Sequence, residues 1–273
     1  MRTPHRPPLV FLVPLAILIV LLVVPLAVLL GLAAGYGLGA AFLDPAFLAS
    51  VLVTFAGAGL AAGLAALLGT PSAYALSRGL VGGRLGAVIE AVLLAPLTVP
   101  HVIAGIALLL TFSPLSPLYP LLGGLRIVDT FLGLTLAFFF VSSPLFVSGV
   151  KESLGKMDPR LELASRSLGA GPGETFRRVV VPGLRGPILE SFLLTWARAV
   201  SEFGSIVILA YFLLGLPLLG TVLPASVFVF NAYQVGGLYV ALGYAGALLV
   251  FSLIPLILLQ AVKARPWRSA STA

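Results

Sequence analysis

The fold class follows from residues 9 to 32, which read LVFLVPLAILIVLLVVPLAVLLGL and contain no charged side chain. A helix of about 20 apolar residues spans the roughly 30 Å hydrocarbon core of a bilayer. The stretch is therefore long enough to cross a membrane. It also exceeds the roughly 7 to 15 apolar residues of a secretory signal, so we expect a retained transmembrane helix.

The rest of the 273-residue chain has the same character. Hydrophobic residues make up 60% of the sequence and charged residues 9%, whereas soluble domains carry roughly a quarter charged residues. The apolar runs are continuous and do not alternate with polar residues, as barrel strands do. The sequence thus predicts an all-α membrane protein. Cysteine is absent, which excludes disulfides and thiolate chemistry.

Prolines, glycines and polar residues divide the apolar runs into six predicted transmembrane helices. They cover residues 9 to 32, 46 to 76, 86 to 112, 130 to 150, 187 to 213 and 235 to 262. Nothing indicates a repeat or a soluble domain, so we expect residues 1–273 to form one transmembrane domain. Two linkers, 113 to 129 and 214 to 234, are rich in proline and poor in charge. They either face a docking partner or only connect helices.

Basic residues concentrate on one side of these helices. If both termini, the 77 to 85 linker and the 151 to 186 loop share a side, 14 of the 16 Lys and Arg residues lie there. The 14 residues are Arg2, Arg6, Arg78, Arg84, Lys151, Lys156, Arg160, Arg166, Arg177, Arg178, Arg185, Lys263, Arg265 and Arg268. The positive-inside rule then predicts that both termini are cytoplasmic. The net charge of +7 reflects this clustering and does not indicate a nucleic-acid partner.

The 151 to 186 loop is predicted to be a helix-turn-helix element. Asp158 and Pro159 are typical of a helix start, with a side-chain cap followed by a proline at the first helical position. One face then carries apolar and small residues, opposite Glu162, Arg166 and Ser167. The face consists of Leu161, Ala164, Ser165 and Leu168. It needs burial against its own bundle or in a groove on a partner.

The second half of the loop begins after a break at Gly169, Gly171, Pro172 and Gly173. A further helical turn places three apolar side chains on one face, and Pro182 is expected to end it. These side chains are Phe176, Val179 and Val180.

The segment from Asp158 to Pro182 resembles the EAA loop of ABC importer permeases. Gly169 is followed by nine residues, then Val179, one residue, Val181 and Pro182, which is similar to that family's Gly, nine residues, Ile, one residue, Leu-Pro. Leu163, Ala164 and Ser165 stand where the family has Glu-Ala-Ala, and the acidic Glu162 comes one place earlier.

The resemblance implies that the loop inserts into a cleft on a separate ATP-binding subunit. The implied coupling residues are Glu162, Leu163, Ala164, Ser165, Leu168, Gly169, Phe176, Val179 and Pro182. The chain itself has no phosphate-binding G-x-x-x-x-G-K-[ST] motif, because Gly155-Lys156 is followed by Met157. We therefore expect no cofactor in this chain, no catalytic residue of its own, and ATP and Mg²⁺ bound by the partner ATPase.

Two charged residues fall within the predicted fifth helix. Arg198 and Glu202 are four residues apart, so they share a helical face and can pair. A helix starting near Pro187 would carry Arg198 about 16 Å into the span, near its middle. The two side chains either line the translocation pathway or form an ion pair that holds helices together. His101 is expected to pack at a proline-distorted helix or to hydrogen bond in the pathway, since a lone histidine is a poor metal site.

Residues 196 to 211 resemble the fifth-helix segment of oxyanion permeases, the molybdate, tungstate and sulfate group. Residues 96 to 105 and Asp129-Thr130 are similar to the same group. Trp196, Ser201 and Tyr211 favour the molybdate/tungstate branch. The candidate pathway residues are Arg198, Ser201 and Glu202, and no metal site is expected.

Together these features predict a type I ABC importer permease with the MetI-like fold, located in the plasma membrane of a prokaryote. The expected partners are a second copy in a homodimer, two ATP-binding subunits, an external substrate-binding protein and the lipid bilayer. The transported ion is predicted to be molybdate or tungstate. The alternatives are a sulfate/thiosulfate importer and an ATP-independent secondary transporter, which would need ion-coupling carboxylates within its spans.

Overall fold

The computed structural model describes residues 9–264, and these are mostly helical. The helices are α1 (Leu9–Gly35), α2 (Leu38–Ala41), α3 (Pro45–Ser77), α4 (Gly83–Leu94), α5 (His101–Phe112), α6 (Phe131–Lys156), α7 (Arg160–Ser167), α8 (Pro172–Thr175), α9 (Val181–Gly183), α10 (Arg185–Val200), α11 (Ile206–Leu209) and α12 (Ala225–Ala264). Short 3₁₀ turns cover Ala95–Leu97 and Tyr119–Leu122, and a π-helical turn covers Phe176–Val180. Four of the 14 basic residues predicted to be cytoplasmic, Arg2, Arg6, Arg265 and Arg268, lie outside the described residues.

Within residues 9–264, four helices are long and apolar enough to cross a membrane: α1, α3, α6 and α12. The predicted third span is broken. Its two parts, Gly83–Leu97 and His101–Phe112, are bent by 109° and would give a fifth span if counted as one. The break falls before Pro100, which has no amide hydrogen to donate and disfavours helical backbone in the preceding residue. The prediction of six spans stays a prediction.

The fifth and sixth predicted spans also differ from the structure. α10 ends at Val200, 13 residues before the predicted end at 213, because the chain turns at residues 201 to 205. α12 begins at Ala225 instead of 235 and is kinked at Gly237, where φ is 75°. The linker expected over 214 to 234 is thus partly helical. It also holds a small antiparallel hairpin of β1 (Leu213–Leu216) and β2 (Gly220–Val222).

The core forms where α3, α6 and α10 pack together. α3 contributes small residues to this contact, which lets the larger side chains of α6 approach its backbone. The buried members from α3 are Gly57, Ala58, Ala61, Ala62, Ala65, Gly69 and Ala73, and those from α6 include Leu134, Phe138, Phe146 and Val150. α1 is peripheral and packs on α12 and α2, and its side chains from Val10 to Val28 are exposed. An exposed, wholly apolar helix of this length suits a lipid environment.

Asp44 fixes the start of α3. One of its carboxylate oxygens accepts hydrogen bonds from the amides of Ala46 and Phe47, and the other accepts one from the Tyr244 hydroxyl at 2.7 Å. The bond from Tyr244 lowers the pKa of Asp44, and the two amides act in the same direction against the opposing effect of burial. This residue therefore caps α3 and ties it to α12.

The contact between α3 and α6 leads to a test of packing. A Cβ on Gly69 would lie 2.8 Å from Cδ1 of the fully buried Phe146, whereas a Cβ on Gly63 of the same helix meets no atom within 4 Å. We expect Gly69→Ala to lower the free energy of unfolding by about 1 to 3 kcal/mol through overpacking. Gly63→Ala should leave it unchanged or raise it by about 0.4 to 1 kcal/mol. Chemical unfolding in mixed micelles measures both, and equal effects would contradict the packing described.

Candidate functional site

A partly buried polar cluster lies where α5, α10 and the turn after α10 meet. It consists of His101, Arg198, Glu202 and Ser205. Oε2 of Glu202 lies 2.7 Å from His101 Nδ1 and accepts a hydrogen bond from Arg198 Nη1 at 3.1 Å. Oε1 accepts hydrogen bonds from the Ser205 amide and hydroxyl, both at 3.0 Å. Glu202 is 2% exposed, so these partners replace the water that its charge has lost.

Glycine allows the elements of the polar cluster to approach each other. α5 begins at His101, immediately after Pro100, and Arg198 lies in the last turn of α10. A Cβ on Gly204 would lie 2.7 Å from the His101 Cβ, and one on Gly105 would lie 2.7 Å from the Ser205 carbonyl oxygen. Only glycine at these two positions brings α5 close enough for His101 to reach Glu202.

The predicted pair of Arg198 and Glu202 is present in the structure, but its setting differs from the expected one. Arg198 lies in the last turn of α10 and not in the middle of a long span. A positive charge at the C-terminal end of a helix interacts favourably with the helix dipole. Ser201, the third predicted pathway residue, is exposed and donates a hydrogen bond to the Arg198 carbonyl oxygen at 2.9 Å. Ser205 was not predicted. It follows Glu202 by three residues, a spacing at which side chains bond to nearby backbone amides, and this is the signal that could have identified it.

A second site lies at the other end of α10, in the loop that contains α7. Three side chains fasten this loop to the rest of the protein, and we call them the loop anchor: Tyr74, Arg78 and Glu162. Glu162 Oε2 accepts a hydrogen bond from the Tyr74 hydroxyl at 2.7 Å, and Oε1 accepts one from Arg78 Nε at 2.8 Å. Nη2 of Arg78 lies 2.7 Å from the same Oε1. The buried carboxylate of Glu162 therefore fastens α7 to the end of α3.

α7 begins at Arg160, so Pro159 takes the N-cap position and not the predicted first helical position. Asp158 Oδ1 accepts a hydrogen bond from the Arg160 amide at 2.9 Å, just before the first turn. At the other end, Gly169 has a φ of 90°, its amide bonds to the Arg166 carbonyl, and the Ala170 amide bonds to the Ser165 carbonyl. This pattern of two crossed bonds is a Schellman motif, and it requires the left-handed backbone that glycine adopts without strain.

The orientation of α7 differs from one expectation. If the predicted apolar face packed on its own bundle, Leu161 and Leu168 would be buried, but they are 52% and 89% exposed. Glu162, from the opposite face, is the buried residue, because Tyr74 and Arg78 supply partners that no apolar surface could match. Leu163, Ala164 and Gly169 are exposed as well, and Ser165 is half-buried.

The second half of the loop packs more closely on the bundle. The ring of Phe176 lies 5.1 Å from that of Tyr74, and Val180 is fully buried. Val179 is half-buried, and the hydroxyl groups of Ser165 and Thr175 are 3.1 Å apart, which joins the two halves of the loop.

The expectation that Pro182 ends the helix is wrong. Pro182 is exposed and lies in the first turn of α9, and helical backbone continues into α10. Its missing amide hydrogen has no cost there, because the first amides of a helix have no partner within it. The π-helical turn over Phe176–Val180 precedes this restart.

Tyr74 and Arg78 are functional candidates that the sequence did not single out. Arg78 was counted only among the basic residues of a linker. The two are four residues apart at the end of a long apolar helix, so they share one face, and this spacing could have marked them as a pair facing a common partner.

The fold and the two sites define a class of protein: a multi-pass helical membrane protein with a polar cluster between its helices and a protruding loop fastened to its core. Its fold is similar to that of a crystal structure of a bacterial ABC transporter involved in the import of the acidic polysaccharide alginate. The TM-score is 0.61 and the sequence identity 17%, and the match covers 97% of this chain and 100% of the other.

Residues 75–268 match the model of the family described as the binding-protein-dependent transport system inner membrane component. The chain belongs to this family, has its MetI-like permease fold, and is a multi-pass protein of the plasma membrane.

Among curated proteins, the chain is 32% identical over 170 residues to the molybdate/tungstate transport system permease protein WtpB of Pyrococcus furiosus. This match covers 62% of this chain and 63% of that protein, so it spans less than two thirds of either. A probable molybdenum ABC transporter permease of Haloferax volcanii is 34% identical over 75% of this chain and 71% of that protein. A probable sulfate transport system permease of Chlorella vulgaris is 31% identical over 82% and 83%.

The loop anchor predicts a measurable coupling. In a double-mutant cycle with Arg78→Met and Glu162→Gln, we expect a coupling free energy of about 1 to 3 kcal/mol, since both groups are largely removed from water. Chemical unfolding in mixed micelles measures it. The Glu152 and Lys156 pair is the control, because its side chains are 71% and 73% exposed and should show no measurable coupling. Equal coupling in the two pairs would contradict the anchor.

Proposed function

We propose that the chain is the permease subunit of an ATP-driven importer and forms the membrane pathway for an oxyanion, with molybdate or tungstate as the transported ion. The observation that carries the proposal is the exposed apolar surface of α7, held outward by the loop anchor. Leu161, Leu163 and Leu168 are each more than half exposed. Apolar side chains presented in this way suit a groove on a partner protein.

The partner at this surface is an ATP-binding subunit that supplies ATP and Mg²⁺. In this proposal Leu163, Ala164, Leu168 and Gly169 contact the ATPase directly. Ser165, Phe176 and Val179 support the surface from behind, and Pro182 lies at its edge. Glu162 acts indirectly, because its carboxylate is occupied by Tyr74 and Arg78 and so transmits the movement of the loop to α3.

The proposed topology has six spans and both termini in the cytoplasm, with residues 1–273 forming one permease domain. The broken pair of α4 and α5 supplies the third span, and α10 supplies the fifth. Neither of these two spans is a single long, straight helix. Arg78 of the loop anchor pairs with Glu162 and Lys151 pairs with Glu90, and both basic residues belong to the side assigned to the ATPase. The hairpin and the 113 to 129 linker then face outward, toward an external substrate-binding protein.

The pathway is proposed to lie between two copies of the chain in a homodimer. Arg198, His101 and Ser201 leave part of their polar surface exposed in a single copy. Polar surface at membrane depth needs a cavity or a protein neighbour, and a second copy would supply both.

The choice of ion is supported by the similarity of the chain to relatives whose names specify molybdate, tungstate or molybdenum. Sulfate is the second candidate, because the chain also resembles sulfate permeases over most of its length.

Association with the ATPase tests the proposal. We expect the wild-type chain, co-expressed with a candidate ATPase, to purify as a stable complex, and Leu168→Asp to dissociate it because a charge would enter the apolar groove. Gly169→Asp should act in the same direction, with added backbone strain at a φ of 90°. Affinity purification followed by quantification of the ATPase measures the outcome.

Leu218→Asp provides the control, because Leu218 is a fully exposed leucine in the hairpin, at the opposite end of α10 from the loop. This variant should keep the ATPase bound. A wild-type chain that never associates with an ATPase would show that the importer proposal is wrong.

A further inference from the structure

We propose that His101 is a positioning residue that lets Arg198 exchange its bond to Glu202 for a bond to a tetrahedral oxyanion in the pathway. This inference rests on the proposed function and assigns the oxyanion-binding group of the polar cluster. It follows from the bonds, the hydrogen positions and the exposure of the cluster.

Arg198 supplies one of the four polar contacts to the Glu202 carboxylate. If Arg198 turned away, Oε2 would keep His101 at 2.7 Å, and Oε1 would keep the Ser205 amide and hydroxyl at 3.0 Å. A buried carboxylate that loses every partner is strongly destabilised, whereas Glu202 would keep these three polar contacts. Without His101, Oε2 would depend on Arg198 alone.

The hydrogen positions on His101 follow from its neighbours. A carboxylate only accepts hydrogen bonds, so Nδ1 of His101 carries the hydrogen that is donated to Glu202. Arg198 only donates, and its Nη2 lies 3.0 Å from Nε2 and 3.2 Å from Nδ1 of the His101 ring. Arg198 therefore contacts His101 through one guanidinium nitrogen and Glu202 through the other, while His101 itself contacts Glu202 Oε2 at 2.7 Å.

The exposure of the three side chains decides which of them an anion reaches. The side chains of His101 and Arg198 are 40% and 29% exposed, while that of Glu202 is 2% exposed. An approaching anion meets the guanidinium before the carboxylate that would repel it. The planar fork of an arginine matches two oxygens of a tetrahedral oxyanion, and such charge-assisted bonds are stronger than neutral ones.

Equilibrium dialysis tests the exchange. The purified complex of permease and ATPase, without the external binding protein, is dialysed against increasing tungstate, and the retained metal is measured by mass spectrometry. We expect His101→Leu to weaken tungstate retention at least about tenfold, because Arg198 is then confined to Glu202. His101→Asn should restore affinity to within about threefold of wild type, since its amide nitrogen occupies the place of Nδ1 and donates to Glu202.

Thr111→Ala is the matched control on α5, because the Thr111 hydroxyl bonds only within its own helix, to the Ala107 carbonyl oxygen. It should retain tungstate as wild type does.

If His101 had a purely structural role, the leucine variant would unfold more readily, but its folded fraction would bind tungstate normally. This result would overturn the inference. A wild-type complex that contains its ATPase but retains no tungstate would overturn it too, and would leave the proposed function standing. A permease that never assembles with an ATPase would overturn the proposed function itself.

Discussion

A buried carboxylate in an apolar helical protein must have partners, and Glu202 imposes this constraint on the architecture. His101 reaches it from α5, Arg198 from α10 and Ser205 from the following turn, and the Ser226 hydroxyl of α12 donates to its backbone carbonyl at 2.9 Å. Four elements therefore converge on one residue. This convergence needs a break in the third apolar segment and an early end to the fifth, which are the places where the chain departs from straight helices.

Glu162 has the corresponding role at the other end of α10. Its carboxylate joins α7 to Tyr74 and Arg78, so a displacement of the loop must carry α3 with it or break these bonds. α3 in turn packs along α6 and α10 through its small residues, and α10 ends in the polar cluster. A continuous set of packed helices thus links the loop with the cluster, as expected of a bundle that changes state by rigid movements.

The sequence predicted the helices whose signal is local. The runs at 9 to 32, 46 to 76 and 130 to 150 correspond to α1, α3 and α6, because an uninterrupted apolar run has no competing structure in a bilayer. The end of α7 was predictable too, because Gly169 adopts the left-handed backbone that ends a helix. The partners of Glu162 were not, since Tyr74 and Arg78 lie 88 and 84 residues away. The end of α10 was missed because the Ser205 amide bonds to a side chain instead of a helical carbonyl, a choice that depends on the packing around Glu202.

The central claim, that this chain forms the pathway of an ATP-driven oxyanion importer, is tested most directly by uptake into proteoliposomes. The vesicles would contain the permease with its ATPase, with ATP enclosed and the loaded binding protein outside. The account predicts accumulation of tungstate that requires enclosed ATP and the binding protein, and that persists when ion gradients are collapsed. Uptake that proceeds without ATP and stops when the gradients are collapsed would contradict it.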